Sequence, residues 1–447
     1  PADKESMPAS TTTTRFTQDG FDAFLASRDE PAWLTDIRNS SWKHFSSLPM
    51  PSRGDEQWAR TDIRPLRLEQ FSPFLNNKAL NNKALEAPQG RLSLGVNLAG
   101  QTSSVDGQSA ACTIDEKWHK AGVLFGNIDQ LVASHGDLFK PHLLARAVNP
   151  HYDKFAALHG AFWTGGTLLY VPRNVIIDQP LHTLFALGDG IADLSHTLVV
   201  LEEGAEAILL SESLSMPRAT TGLHCGAIEL LLGPRSRFRY VNLQDWGHGV
   251  WHFSHQKALV DRDAHLQWTI GAIGSRLAKV NQDVALVGEG GQAEVNGIMF
   301  SEGKQHLCYQ TSQHHEAANC RSDLLYKGAL QDDSRIEWRG MIKVEPGAQG
   351  TDGYQRNDNL ILDPGARADS IPGLEIEADD VRCTHGATSG RVDEQQLYYC
   401  QAHGLTRKEA IRLIVSGFLQ QISDRISVKN VRSALGNAIY RRIRDHE

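Results

Sequence analysis

Cys383, His385, Cys400 and His403 gather four metal-ligating side chains into one short stretch near the C-terminus. Thiolate and imidazole are the ligands that soft and borderline metals take. Cys383 and His385 are two apart, so on a strand both point to the same face. Cys400 and His403 are three apart, so on a helix they share a face as well. Four such groups could close a site around one metal ion. Their Cys-x-His and Cys-x-x-His spacings are not those of a structural zinc site, and a free cysteine is ordinarily a small buried hydrophobe. On spacing alone, ligand and packing roles both stay open for Cys383 and Cys400.

Other chemistries find less support. Gly288-Glu-Gly-Gly291 is not followed by the Gly-Lys-Ser/Thr that a phosphate-binding loop requires. There is no Gly-x-Ser-x-Gly elbow and no His-Glu-x-x-His. Asp379 and Asp380 are adjacent, so on a strand they face opposite ways, which does not suit paired-carboxylate glycoside cleavage. His314 and His315 diverge in the same manner and read as structural.

The 447 residues carry a formal charge of −8 and are 40% hydrophobic, the composition of an ordinary water-soluble protein with no basic face for nucleic acid. No apolar run approaches the about 20 residues of a membrane span. Residues 1–15 are polar, without the apolar segment of a secretory signal, and read as a disordered tail. Six scattered cysteines without a Cys-x-x-Cys pair fit reduced thiols in the cytoplasm.

The elements that must position these groups change character along the chain. Residues 16–150 read as mainly helical, with Leu34, Ile37, Trp42 and Phe45 at near-helical spacing. The tandem repeat Asn76–Leu80 and Asn81–Leu85 reads as a surface insertion. Asp153–Trp163 predicts a short helix stopped by Gly165 and Gly166. After Thr167 the period becomes that of strands. A turn, a small residue and an alternating run recur, with the small residue at Ala205, Ser236, Ala264, Gly291, Ser334 and Ala366. The spacings are 31, 28, 27, 43 and 32 residues. Such a recurrence predicts a β-solenoid over 151–388, each coil burying an apolar stripe against the next. A β-sandwich is the rival. From 389 to 447 helices return. Asp393–Ala402 is ended by Gly404, Thr406-Arg-Lys-Glu409 is a capping box, and Val431, Leu435, Ile439 and Ile443 recur at four-residue steps. The last two helices would cap the solenoid or dock on a partner.

Ser370–Thr388, containing Arg382-Cys-Thr-His-Gly-Ala-Thr388, closely resembles the signature of the SufD branch of the SufB/SufD family in the SUF iron–sulfur assembly machinery. Arg321-Ser-Asp-Leu-Leu-Tyr-Lys-Gly328, Val344–Asp352, Tyr240–Trp246, Ala161–Gly166, Asp55-Glu-Gln-Trp58 and Thr61-Asp62 also look like segments of that family. The resemblance implies a right-handed parallel β-helix flanked by N- and C-terminal helical regions. It implies a non-enzymatic subunit that heterodimerises with SufB and binds the ATPase SufC through the helices Thr406–Ile443. A homodimer is the alternative assembly of the isolated chain. A transient iron–sulfur cluster would be shared with SufB, with His385 matching the family's functional histidine as an iron ligand. Cys383 and Cys400 are the subsidiary candidates, and nothing in the sequence supports a flavin. SufB chains typically carry His-Glu-Ala-Thr where this chain has His385-Gly-Ala-Thr388, and a cysteine where Glu212-Ser-Leu-Ser-Met-Pro217 has none. Tyr398-Tyr-Cys400 departs toward SufB. A SufB-like paralogue and a stand-alone metal-binding solenoid enzyme are the alternatives.

Overall fold

The computed structural model describes residues 16–73, 87–426 and 428–443. The polar tail and the tandem pentapeptide lie outside them. Up to residue 165 the chain forms helices α1 (Gln18–Ala26), α2 (Ala32–Ser47), α3 (Glu116–Lys120), α4 (Ile128–Phe139) and α5 (Lys154–Phe162). Between them run strands β1 (Ser72–Pro73), β2 (Gly100–Val105), β3 (Gln108–Ile114) and β4 (Leu124–Asn127).

The solenoid follows. Its early strands are β5 (Gly166–Val171), β6 (Leu181–Leu187), β7 (Ile191–Asp193), β8 (His196–Leu201), β9 (Glu206–Ser215) and β10 (Gly222–Leu232). The middle is β11 (Arg237–Asp245), β12 (Val250–Val260), β13 (His265–Ala272), β14 (Leu277–Leu286) and β15 (Gln292–Ser301). It ends with β16 (His306–His315), β17 (Arg321–Leu330), β18 (Arg335–Val344), β19 (Thr351–Ile361), β20 (Arg367–Ile376) and β21 (Val381–Arg391). Helices α6 (Glu394–Ala402), α7 (Arg407–Arg425) and α8 (Lys429–Tyr440) close the described chain.

From β8 onward successive strands alternate between two sheets, so every coil contributes one strand to each. The first sheet runs β20-β18-β16-β14-β12-β10-β8-β5-β4 and the second β21-β19-β17-β15-β13-β11-β9-β6-β2-β3. Strands within a sheet pair in parallel, as at Leu277↔His306 and Arg321↔Asp352. The chain is mainly β, a parallel solenoid with helices at both ends of the sequence.

One corner of the coil explains the recurrence seen in the sequence. Asn174, Gly204, Arg235, Asp263, Gly290, Asn319 and Gly350 all have φ between 55° and 73°. Glycine reaches that left-handed region without strain, and Asn or Asp reach it more readily than other side chains. The next residue turns inward and must be small, as buried Ala205, Ser236, Ala264 and Cys320 are. The anomalous 43-residue gap disappears in this frame. Cys320 is the next anchor after Gly291, whereas Ser334 and Ala366 sit at the other corner, before β18 and β20.

The stretch 16–150, expected to be mainly helical, also builds sheet. Strand β2 extends the second sheet in parallel with β6, and β3 closes that edge antiparallel to β2. Strand β4 closes the first sheet antiparallel to β5. The solenoid is therefore finished at its N-terminal end. Two buried carboxylates hold the flanking segments there. Glu229 accepts from Leu144 and Val148 N–H at 2.8 and 2.9 Å and pairs with His196 at 3.1 Å. Glu212 accepts from Arg91 and Leu92 N–H and pairs with His182 at 2.9 Å.

The helices after β21 do not cap the last coil. Leu397, Ile411, Val415, Leu419, Leu435 and Ile439 pack on the outer face of the second sheet, against Val241, Leu243, Ile298 and Leu325. The apolar stripe that called for a neighbour found the sheet face rather than the end.

Candidate functional site

The exposed end of the solenoid is made by β20 and β21. Each is the outermost strand of its sheet, paired on one side only among the described residues. Side chains on a strand alternate between its faces. On β21 the inward row is Val381, Cys383, His385, Ala387 and Ser389. Cys383 packs against Ile342, Val344 and Ala348, and Ser389 meets Asn359 of the coil below. The outward row includes Thr388, whose hydroxyl donates to Asp358 at 2.6 Å.

His385 belongs to the inward row, yet it is exposed because no further coil covers it. In register beneath it lies Gln355 of β19. The rim around it is partly apolar: Leu374 and Ile376, at the end of β20, remain 37% and 40% exposed. An imidazole that can ligate a metal is thus presented at the open end of the stack, on strand edges unpaired among the described residues, on a coil that also carries uncovered apolar surface.

The four candidate ligands do not converge. Cys383 and His385 share a face, as their spacing requires, but the Cys383 thiol is turned into packing and burial pushes its pKa up. Cys400 and His403 part company because α6 stops at Ala402, with Gly404 in the left-handed region at φ 93°. Cys400 packs against the cluster between the C-terminal helices and the second sheet. His403 turns back, its Nδ1 2.8 Å from the Tyr399 carbonyl and its ring 4.3 Å from the Tyr399 ring. Among the described residues no three His, Cys, Asp or Glu side chains are grouped to hold one metal.

Gln355, Leu374 and Ile376 escaped the sequence reading. Their place at the site follows from which strand ends the stack, and no local pattern encodes that. No helix among the described residues is long and apolar enough to cross a membrane.

A two-sheet parallel solenoid with helical flanks, closed by antiparallel strands at one end and presenting an exposed imidazole at the other, places the chain among the parallel β-solenoid proteins. Residues 185–418 match the family model for the SufBD core domain of SUF-system FeS cluster assembly, and residues 21–183 match the SufBD N-terminal region. The iron–sulfur cluster assembly protein SufB of Bacillus subtilis is 26% identical over 414 residues, spanning 90% of this chain and 88% of its own. An iron–sulfur cluster assembly SufBD family protein of Staphylococcus haemolyticus is 25% identical over the same length, with the same coverage of each chain. The chain belongs to the SufB/SufD family of iron–sulfur cluster assembly proteins.

Proposed function

We propose that this chain is a SufD-type subunit, a cytoplasmic and non-enzymatic partner that joins a SufB homologue through its open solenoid end and offers His385 to the nascent cluster. The cluster is cargo, built between two subunits, so one chain need hold only part of its ligand set. The observation that carries this reading is the end itself: two edge strands paired on one side only among the described residues, an apolar rim and an exposed imidazole on a single coil. Imidazole ligation raises a cluster's potential relative to an all-thiolate site.

The C-terminal helices would receive the ATPase SufC. Their inner stripe is spent on the second sheet, while Tyr398, Tyr399 and Leu413 stay 75%, 65% and 57% exposed. Solvent-facing aromatics on a docked helix suit a partner surface.

The SufB-like alternative draws on Tyr398-Tyr-Cys400 and on the named SufB relative. Against it stand His385-Gly-Ala-Thr388 and the absence of cysteine from Glu212–Pro217. Glu212 is moreover occupied in holding the 91–92 backbone.

The test is anaerobic co-purification with SufB and SufC homologues, followed by cluster spectroscopy. Wild type should bring down both partners and a cluster signal. His385→Ala should keep the partners and lose most of the signal. Failure to bind either partner sinks the subunit reading, and an undiminished signal in His385→Ala sinks the ligand assignment.

A further inference from the structure

The Gln355 side chain is fully buried directly below the register position of His385. Its Nε2 donates to the Gly373 carbonyl of β20 at 2.8 Å, which fixes the plane of the amide across the last complete coil. Its Oε1 is buried and has no hydrogen-bond partner among the described residues. A buried amide oxygen left unpaired is unfavourable.

The surroundings are shaped to keep that oxygen in place. Gly340 of β18 faces it from the opposite sheet. A Cβ at Gly340 would stand 2.3 Å from Gln355 Oε1 and 2.2 Å from the Trp338 ring, so the amide and the ring together fill the space that the glycine leaves. Further along the same inward row, Asn359 Nδ2 donates to Asn357 Oδ1 at 2.8 Å and to Ser370 Oγ at 3.0 Å, while Asn359 Oδ1, also without a partner among the described residues, lies in register with Ser389. The free acceptor in this layer that lies in register with His385 is Gln355 Oε1.

We propose that Gln355 is the positioning residue for His385. When a partner covers the end of the solenoid, the imidazole settles onto the last coil and donates one ring N–H to Gln355 Oε1. A neutral imidazole has one donor nitrogen and one acceptor nitrogen. Committing the donor inward leaves the other nitrogen's lone pair facing out, toward the nascent cluster. The relay runs from the Gly373 carbonyl through the Gln355 amide to the ring. Its logic is that of any metal-binding histidine, whose second nitrogen is held by a hydrogen bond that fixes tautomer and orientation. This rests on the proposed ligand role of His385, but its test does not.

The test is imidazole 15N NMR of the full-length chain, free and bound to a SufB homologue, at about pH 8, above the ordinary histidine titration range. In the wild-type complex His385 should hold one tautomer with about tenfold preference, as one net hydrogen bond sustains. Gln355→Met keeps the side-chain length and removes the amide, and should relax the ring to the tautomer mixture of the unfolded chain. An unchanged tautomer in Gln355→Met overturns the inference. If that variant does not fold, Gln355→Leu removes the amide with a shorter apolar side chain. It should give the same relaxation, and an unmoved ring there is equally fatal. A ring that responds to Gln355 while His385→Ala still assembles clusters would remove the ligand reading and leave the positioning intact. The converse pair of results would remove the positioning alone.

Discussion

Asp153 does two jobs with one carboxylate. It caps α5 by accepting from the Ala156 N–H at 2.8 Å, and it pairs with His255 Nε2 at 3.1 Å. Burial pushes the Asp153 pKa up, but the charge and hydrogen bond of His255 outweigh it and leave the value lowered. Burial likewise pushes His255 down, and Asp153 more than reverses it. The raised His255 contributes stability fully below its unfolded pKa, about 6.5, and loses it as pH rises through the folded value. The lowered Asp153 contributes above its unfolded pKa, about 3.9, and loses that as pH falls through its folded value. The pair is therefore strongest between about pH 4 and 6.5. Asp153→Asn keeps an acceptor for the cap but removes the counter-charge of a buried imidazole whose Nδ1 side is met by Asn281, and should weaken α5 by about 1–3 kcal/mol at pH 6. Hydrogen exchange of the α5 amides reads this, and the gap from wild type should narrow as pH climbs past the His255 transition. At the other end of the molecule, Cys400→Ser should separate packing from ligation. The serine hydroxyl meets an apolar cluster, so the α6–α7 region should lose about 1–3 kcal/mol. Cluster assembly should match wild type. A loss of cluster signal without a loss of stability would make Cys400 a ligand.

Among the elements, α8 is the one whose docking is easiest to weigh. Leu435 is buried over Gly271 of β13, where an added Cβ would come within 2.8 Å of Leu435 Cδ2. A glycine on the sheet thus receives a leucine from the helix. Leu435→Ala should cost about 2–5 kcal/mol in α8 docking, the range for a large-to-small change in a packed core. The loss should appear as local exchange of α8 amides while the inner strands keep their protection. Elements of this kind differ in how far the sequence reveals them. The Thr406–Glu409 capping box is local and forms as the sequence predicts, and the short helix expected over 153–163 forms as α5 with Asp153 as its cap. The solenoid was legible because its corner turn recurs, though the anchors slipped from one corner to the other after Gly291. The seat of α7 and α8 was not legible. Their stripe states that they bury one face, and only the register of distant strands decides which surface receives it. The same distance hides Glu212 and Glu229, which look like ordinary strand carboxylates until segments 121 and 85 residues away place their backbone N–H groups on them.

At the scale of the whole molecule the solenoid is polar in the geometric sense: antiparallel strands β3 and β4 close one end, and nothing described closes the other. A stack of parallel strands normally blunts its last edge with charge, a bulge or a covering element. Here the terminal coil carries Pro372 and several charges, yet keeps ten-residue and eleven-residue strands with apolar side chains at the rim. Exposed strand edges beside apolar surface favour pairing with another chain. The isolated chain should therefore associate end to end with itself, and a SufB-type subunit should compete for the same surface. Leu374→Lys addresses both. Its ammonium can reach solvent from a position already 37% exposed, so the melting temperature should move little, in keeping with the about 0.5 kcal/mol typical of surface changes. Sedimentation velocity over a range of concentrations should show the wild-type dimer fading into monomer for Leu374→Lys, with capture of the SufB homologue lost in parallel. The proposed binding of the ATPase through α6–α8 should be untouched, because those helices sit on the sheet face. A Leu374→Lys chain that still captures the SufB homologue with wild-type affinity would move the interface away from the open end, and with it the place where His385 meets the cluster.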